Sequence, residues 1–309
     1  MTKAKARHGI FLVTLVAGVG TLTDEAHAYV RAVTSLGAQI WWGSPCIGMD
    51  FYLGAPPPSM TADQYWNASQ LAARTWSHGD LDCTGLSITM ARRAESTAEV
   101  GLDQHNVVLF RTDAWCRPAS STDPGACHPA NALAITTVFK NKTTGEIVDA
   151  DMEINGVDFA WADLEANPVQ ADGRTADFQN TLTHELGHVI GLAHNCYATT
   201  DGPAPLADNT GSPEVLCGGA DTPVSVYDAT MYPMVGLSDV ARRTLSSDDA
   251  KAACEIYPSG QGVCGEDSGQ GCSVAGPSRT GRARSWAVGL ATLAALAWAV
   301  SIHRKSRES

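Results

Sequence analysis

The stretch His184-Glu185-Leu186-Gly187-His188-Val189-Ile190-Gly191-Leu192-Ala193-His194 is the most informative segment of the chain, because it joins a helical spacing to a sharp turn. Residues four apart lie on one face of a helix, so His184 and His188 can direct two imidazoles at one point. Gly191 allows a positive φ at the end of the helix, which a β-carbon would penalise. That turn can bring His194 round to the same point as a third ligand.

Three neutral imidazoles around one ion leave a coordination position open, as in catalytic rather than structural zinc sites. Such an ion lowers the pKa of its bound water to about 7 and polarises a carbonyl. Glu185 lies beside this ion without being needed as a ligand, and its carboxylate can take the water's proton and pass it to a leaving amine. The alternative is a surface helix with solvated histidines. It is disfavoured, because the five fixed positions match a chain of this length by chance about once in 10⁵.

The flanking residues also favour a helix. Asp177 can serve as its N-cap. An apolar stripe at helical spacing follows it, formed by Phe178, Leu182, Leu186, Val189 and Ile190.

With this motif the chain resembles the metzincin metallopeptidases. That family has a Met-turn downstream, to which Ala229-Thr230-Met231-Tyr232-Pro233 is similar, and Met-Tyr-Pro is the form found in matrixins. The resemblance implies an α+β, zincin-like domain over residues 29–258, with a mixed sheet, an active-site helix, the Met-turn and a C-terminal helix. It implies that Met231 lies beneath the metal without binding it; an ordinary core methionine is the alternative. Residues 245–257 resemble the C-terminal helix, and Ser246 with Asp249 forms a capping-box pattern.

The resemblance also implies the metal content. One catalytic zinc is expected on His184, His188 and His194, with Glu185 as general base. Where the family has a histidine for a second, structural zinc, this chain has Asp151, so a second zinc is not expected. Calcium near Asp149 or Glu153 is an alternative to a solvated acidic strand end, which is favoured about two to one.

Residues 132–139 resemble the edge strand to which a substrate adds as a further strand. The expected partners are therefore proteins or peptides, with an apolar residue after the cleaved bond. The main side-chain pocket is expected to be lined by Ala134, Ile135, Pro233, Met234 and Val235.

Two other functions stay open beside a secreted zinc endopeptidase. One is a catalytically silent surface-binding protein with a zincin fold, against which the intact Glu185 argues. The other is a zinc-stabilised structural module, which would need a fourth protein ligand. Asn195 stands where matrixins usually have serine and is a poor zinc ligand, and Cys196 is expected in a disulfide. The chain has no P-R-C-G segment, so the latency mechanism of animal matrixins is not expected.

Composition bounds the class of protein. The chain has 309 residues, of which 44% are hydrophobic and 17% charged, as in one globular domain with appendages. The net charge of −12 argues against a nucleic-acid partner, because phosphate binding needs clustered Lys and Arg. We expect a monomer.

The N-terminus is typical of an export signal. Basic residues precede the apolar run 10–17, and Ala26-His27-Ala28 is a small-x-small cleavage site. Residues 1–28 are therefore predicted to be a signal peptide, with a retained anchor as the alternative.

Nine cysteines in an exported chain predict disulfides. Sequence order favours four local pairs, although it does not determine connectivity. These pairs are Cys46–Cys83, Cys116–Cys127, Cys196–Cys217 and Cys254–Cys264.

The C-terminus contains a polar linker at 259–285 with the leftover Cys272, an apolar helix at 286–302 and a basic tail at 303–309. This order resembles the C-terminal sorting tails of myxobacterial surface proteins, which implies a transient membrane anchor processed near Cys272. A permanent single-pass helix is the alternative. Both place the domain at the cell surface or outside the cell.

The remaining patterns predict a first strand from segments 39–42 and 48–53, a helix over 61–77 capped by Thr61, strands at 87–90, 106–110 and 149–153, and a long surface loop over 197–228.

Overall fold

The structure is a computed structural model and describes residues 29–95, 98–119, 124–168, 174–198, 205–234, 236–260 and residue 264. Its strands in chain order are β1 (Trp41–Trp42), β2 (Cys46–Tyr52), β3 (Ser87–Arg93), β4 (Val107–Arg111), β5 (Cys116–Arg117), β6 (Ala126–Cys127), β7 (Ala134–Lys140), β8 (Glu146–Asn155), β9 (Ala160–Ala162), β10 (Thr175–Asp177), β11 (Cys196–Tyr197) and β12 (Val215–Leu216). Its helices are α1 (Ala62–Trp76), α2 (Phe178–Val189), α3 (Val224–Asp228), α4 (Ser247–Ile256) and a 3₁₀ helix at Ala241–Arg243.

Several predicted features lie outside the described residues: the signal peptide 1–28, Val235, Cys272, the apolar helix 286–302 and the basic tail. Within the described part of the chain, no helix is both long enough and apolar enough to cross a membrane.

A six-stranded, mostly parallel sheet forms the centre, in the order β1-β8-β4-β2-β3, with β7 paired antiparallel to β8. Met152 of β8 has partners in both β4 and β7, namely Val108 and Thr136. Since a strand has two edges, β7 occupies the edge of β8 opposite to β4. No strand among the described residues pairs with the outer edge of β7, so it is the edge strand that the sequence predicted. The mixed architecture is compatible with the predicted α+β class.

Helices α1 and α2 pack on the sheet through an aromatic core. Tyr65 of α1 meets Phe178 of α2 edge-on, with ring centroids 4.8 Å apart, and Phe51 of β2 stacks on Phe178 at 6.0 Å. All three side chains are buried. Truncation of such an aromatic side chain to alanine costs about 3–5 kcal/mol, so this core holds α2 firmly against the sheet.

The helix signals are confirmed. Thr61 caps α1 in a full capping box with Gln64, because each side chain bonds the backbone N–H of the other. Ser246 caps α4 by accepting the N–H of Asp249. A full capping box would also have the Asp249 carboxylate accept the N–H of Ser246. It instead accepts the N–H of Thr230 at 2.6 Å. The predicted first strand is two strands, β1 and β2, which have different neighbours in the sheet.

The prediction of a solvated acidic strand end on β8 is wrong. Asp149, Asp151 and Glu153 are each 0% exposed. The two aspartates accept backbone N–H groups of segment 101–107, with distances of 2.7 to 3.1 Å. Glu153 pairs with Arg111, whose Nε lies 2.7 Å from Oε1. Burial is tolerated because these polar partners replace water.

Two of the four predicted disulfide pairings are confirmed and two are wrong. Cys116–Cys127 and Cys196–Cys217 are bonded as predicted. Cys46 is bonded to Cys264 and Cys83 to Cys254, not Cys46 to Cys83 and Cys254 to Cys264. The physical reason is the path of the C-terminal segment, which runs beside residues 83–85: the Thr84 hydroxyl lies 3.1 Å from Ala253 O, and Ser259 donates its N–H to Cys83 O.

The segment predicted as one surface loop, residues 197–228, has more structure than expected. Strands β11 and β12 pair in parallel, and α3 follows. The bond between Cys196 and Cys217 packs with Val226 and Tyr232 in a small hydrophobic cluster. This cluster gives the segment the buried apolar surface that its composition did not reveal.

Candidate metal centre

Helix α2 carries the first two histidines of the motif, and its start is held by an ion pair from a distant segment. Asp177, the predicted N-cap, accepts the backbone N–H of Asn180 at 2.8 Å. Arg243 binds both oxygens of the same carboxylate, with its Nε 2.9 Å from Oδ1. A carboxylate between helix N–H groups and a guanidinium is favourably placed, so the N-terminus of α2 is tied to the 3₁₀ helix.

The other end of α2 is held by two aromatic side chains. Trp42 donates its indole N–H to Val189 O at 2.7 Å, and Tyr257 donates its hydroxyl to Ile190 O at 2.8 Å. The last carbonyls of a helix have no partner within the helix. These two bonds supply partners from β1 and from the residue after α4.

The predicted glycine turn is confirmed. Gly191 has a φ of +99°, and a β-carbon there would lie 2.7 Å from Ile40 O. Leu192 donates its N–H to Gly187 O at 2.9 Å, which closes the turn. The chain therefore reverses at once after α2 and returns His194 to the face that holds the other two histidines.

The three histidines of the motif meet in one group. One ring nitrogen from each of His184, His188 and His194 lies within 4.8 Å of the others. Their ring centroids are 4.8 to 5.3 Å apart. This group can hold a metal ion. Among the described residues, no other group of three or more His, Cys, Asp or Glu side chains comes together in this way.

Hydrogen bonds settle which nitrogens face the centre. His184 Nδ1 lies 2.6 Å from Thr230 O, and His188 Nδ1 lies 2.9 Å from Leu192 O. A carbonyl oxygen can only accept, so both Nδ1 atoms carry the proton and both Nε2 atoms keep a lone pair. His188 Nε2 lies 3.2 Å from His194 Nε2. The donor set therefore fits a metal ion that accepts imidazole nitrogens, with the outer nitrogens held by carbonyls as is common in such sites.

Burial favours the neutral, metal-binding form of two of the rings, His184 and His194. Desolvation, with the like charges of His188 and His194 added, holds the pKa of His184 well below its usual range. Desolvation and the charge of His188 lower the pKa of His194 to about 3. Both rings are therefore neutral at pH 7, and a metal ion meets no proton that must first leave.

Glu185 lies beside this group and is 7% exposed. Burial raises the pKa of its carboxyl, while the charge of His188 and a hydrogen bond from Thr136 oppose the rise. The Thr136 hydroxyl is 2.6 Å from Glu185 Oε2. Thr136 of β7 therefore bonds the carboxylate of Glu185, which the sequence predicts to be a general base.

Met231 packs directly against α2. A β-carbon at Gly187 would lie 2.2 Å from Met231 Sδ and 3.1 Å from a ring carbon of Trp76. The glycine in the second x position of H-E-x-x-H thus makes room for the methionine. The predicted place of Met231 in a turn close to the histidines is compatible with this packing, and its relation to a metal stays a prediction.

A chain of hydrogen bonds connects α4 to the histidine group. Asp249 accepts the Thr230 N–H at 2.6 Å and is 1% exposed. Thr230 O in turn accepts from His184 Nδ1. The carboxylate therefore orients the Met231 turn, and the turn orients one imidazole.

The predicted pocket residues lie in two places. Ala134 and Ile135 are on β7, the first buried and the second half-buried. Pro233 is half-buried and Met234 is 50% exposed, with its carbonyl accepting from Arg242 Nη2 at 3.2 Å. Among the described residues no hydrogen bond joins the two pairs, so a shared pocket stays a prediction.

Sequence reasoning missed Thr136, Thr230 and Leu192 as partners of the motif. The carbonyls of Thr230 and Leu192 carry no signal in a sequence, because every residue has one. Thr136 carries a weak signal, since it is a polar residue on the same face of a predicted strand as Ala134.

No protein-family model matches this chain, and a search of curated proteins finds no match either.

Proposed function

We propose that this chain is an exported, matrixin-like zinc endopeptidase of the metzincin type. The observation that carries the proposal is the convergence of three imidazoles, one buried and two half-buried, on one point, with the buried carboxylate of Glu185 beside them. Two of the imidazoles have their outer nitrogen bound to a backbone carbonyl, which leaves Nε2 to face the centre.

Three histidine ligands and an open position are the pattern of catalytic zinc. Bound there, zinc would lower the pKa of a water molecule to about 7 and polarise the scissile carbonyl. Glu185 would take the proton from the attacking water and then give it to the leaving amine. His184, His188 and His194 would orient the ion.

The outer edge of β7, with which no strand of the described residues pairs, supports a protein or peptide substrate. An extended peptide can add to such an edge as one more strand, with main-chain hydrogen bonds giving affinity. Thr136 of this strand contacts the proposed base, so a peptide on β7 would pass close to the reacting centre. Met234, which is half exposed, is proposed to form part of the wall for the side chain after the cut.

The four disulfides support an exported protein, because such bonds persist in oxidising compartments. Placement at the cell surface or outside the cell is part of the proposal. So is processing of the C-terminal tail near Cys272.

The test is zinc-dependent cleavage of unfolded casein by the full-length protein and by Glu185→Ala. The variant should retain about one zinc per chain and lose roughly 10²- to 10⁴-fold of the rate, since a positioned acid–base group contributes that much. Glu99→Ala, at an exposed glutamate, is the matched control and should cleave at the wild-type rate. Equal rates for wild type and Glu185→Ala would sink the proposal.

A further inference from the structure

Thr136 lies on the face of β7 that is turned toward α2. It stands opposite Met152 of β8 in the antiparallel register. Successive side chains of a strand point to opposite faces. Its neighbour Thr137 accordingly points away, and the hydroxyl of Thr137 accepts from Arg117 Nη1 at 3.3 Å. Of these two adjacent threonines, only Thr136 faces the histidine group.

The contact between Thr136 and Glu185 is short and directional. The distance from Oγ1 to Oε2 is 2.6 Å, within the range of a hydrogen bond from a hydroxyl to a charged carboxylate. A carboxylate oxygen accepts, so the threonine hydroxyl donates its single proton to it. The backbone oxygen of Glu185 is 3.4 Å away and is the weaker acceptor. Within the described residues, no other side chain donates to the Glu185 carboxylate.

We propose that Thr136 is a positioning residue: through it, strand β7, to which the substrate is proposed to bind, holds the general base Glu185. This inference rests on the proposed function. The hydroxyl engages Oε2 and restrains rotation of the carboxylate, so that Oε1 is the oxygen that takes the proton of the attacking water. Thr136 keeps its own proton throughout, and the transferred proton passes from water to Glu185 and then to the leaving amine.

A purely structural role makes a different prediction. Valine has the shape of threonine without the hydroxyl, so a side chain that only fills space on β7 can be replaced by valine with little effect on turnover. Serine keeps the hydroxyl and loses a methyl group, so it restores positioning and weakens packing. The two substitutions therefore separate the roles.

The first experiment measures kcat and KM of the full-length zinc-loaded protein on a peptide substrate. Thr136→Val should lower kcat by about 10- to 100-fold with KM changed less than about twofold, because small misplacement of a catalytic group has costs of this order. Thr136→Ser should recover most of the loss. Thr181→Val is the matched control, since that buried hydroxyl on α2 bonds the carbonyl of Asp177 and does not touch Glu185. Unchanged kcat in Thr136→Val, or equal losses in the valine and serine variants, would overturn the inference.

The second experiment needs neither metal nor activity. Melting temperatures of the metal-free protein are compared for wild type, Thr136→Val, Glu185→Ala and the double variant. Thr136→Val should lower Tm when Glu185 is present and have little effect when it is absent, because contacting residues are not additive. Equal shifts in both backgrounds show that the bond is not formed and reject the inference. A different outcome separates the two proposals. If Thr136→Val lowers Tm only when Glu185 is present, but the zinc-loaded protein cleaves no substrate, the bond exists and the proposed function is rejected. Thr136 then has no general base to position.

Discussion

Two groups of three titratable side chains lie in this fold, one half-buried to buried and one fully buried, and they differ in where their polar atoms point. His184, His188 and His194 bring one nitrogen each to a common centre. Asp149, Asp151 and Glu153 lie at alternate positions of β8, and all are fully buried. Their oxygens are directed to backbone N–H groups of segment 101–107 and to Arg111.

The difference shows that burial and residue type do not by themselves make a metal site. In the histidine group, His184 and His188 bind their outer nitrogens to carbonyls, which leaves a lone pair on Nε2 of each of these two rings. In the acidic group, Asp149 and Asp151 bond the backbone of segment 101–107, and Glu153 bonds Arg111. Of the carboxylate oxygens of these three residues, Asp149 Oδ1 and Glu153 Oε2 have no hydrogen bond, and Glu153 Oε2 lies 3.3 Å from His128 Nε2. The acidic group therefore has a structural role, whereas the histidine group has the geometry that could hold a metal ion.

The largest expected effect is the loss of metal in His184→Ala. At a free zinc concentration about 1,000 times its dissociation constant, the wild type should gain about 4 kcal/mol of stability, which raises Tm by roughly 8–16 °C for a domain of this size. His184→Ala should show no such rise in Tm, because only two of the three imidazole ligands remain and zinc is no longer held tightly. His105→Ala, at an exposed histidine outside the group, should respond as the wild type does. A full zinc shift in His184→Ala would mean that the metal is bound elsewhere.

A smaller effect is expected for Glu153→Gln in the acidic group. Loss of this charge leaves the Arg111 guanidinium uncompensated in a largely buried place, and breaking a buried pair costs about 3–5 kcal/mol. Urea unfolding measures this cost, and elemental analysis should still find one zinc per chain. Asp80→Asn breaks the exposed pair with Arg74 and should cost at most about 1 kcal/mol. If Glu153→Gln lost metal while it kept its stability, the assignment of the two groups would be reversed.

The smallest effect is a difference in pH dependence. Desolvation raises the pKa of Asp151 from 3.8 to about 8. Between these values the folded state holds a proton that the unfolded state has lost, so this contribution to stability falls as pH rises. Desolvation lowers the pKa of His194 from 6.5 to about 3, so its contribution rises with pH over that lower window. Of the two residues, only Asp151 titrates between pH 6.5 and 8.

Urea unfolding of the metal-free protein from pH 6.5 to 8 tests this sign. The contribution of Asp151 is a decrease of at most about 1.4 kcal/mol per pH unit. Asp151→Asn should have a shallower slope than the wild type, whatever its stability at a single pH. Identical slopes would show that Asp151 is ionised in the fold.

Patterns of short range were predicted well. The helix with His184 and His188, the turn at Gly191 and the caps Thr61, Asp177 and Ser246 depend on neighbours within a few residues. These features are predicted from residue spacing and from the backbone preferences of single residues, both of which can be read from a short stretch of sequence. The same reasoning found β7 and placed Thr136 on it, but not the contact that Thr136 makes.

Long-range pairing decided the rest. Cys46 bonds Cys264 and Cys83 bonds Cys254 across 218 and 171 residues, so the order of cysteines along the chain was a poor guide. The acidic stretch on β8 was expected in water because carboxylates are usually exposed. Only the folded chain brings it the N–H groups of segment 101–107 that make burial tolerable.

Spacing along the chain was enough to predict which residues could hold a metal, because a helix and one glycine turn bring the three histidines to one side. Whether the ring nitrogens are available to an ion depends on contacts from distant parts of the chain. The carbonyls of Thr230 and Leu192 accept hydrogen bonds from Nδ1 of two rings and so fix the proton there. Asp249 holds the turn that supplies one of those carbonyls, and Thr136 bonds the Glu185 carboxylate. The physical reason is that the helix and turn are set by backbone geometry over a few residues. Ring tautomer and carboxylate orientation are set instead by hydrogen-bond partners that the chain brings from elsewhere.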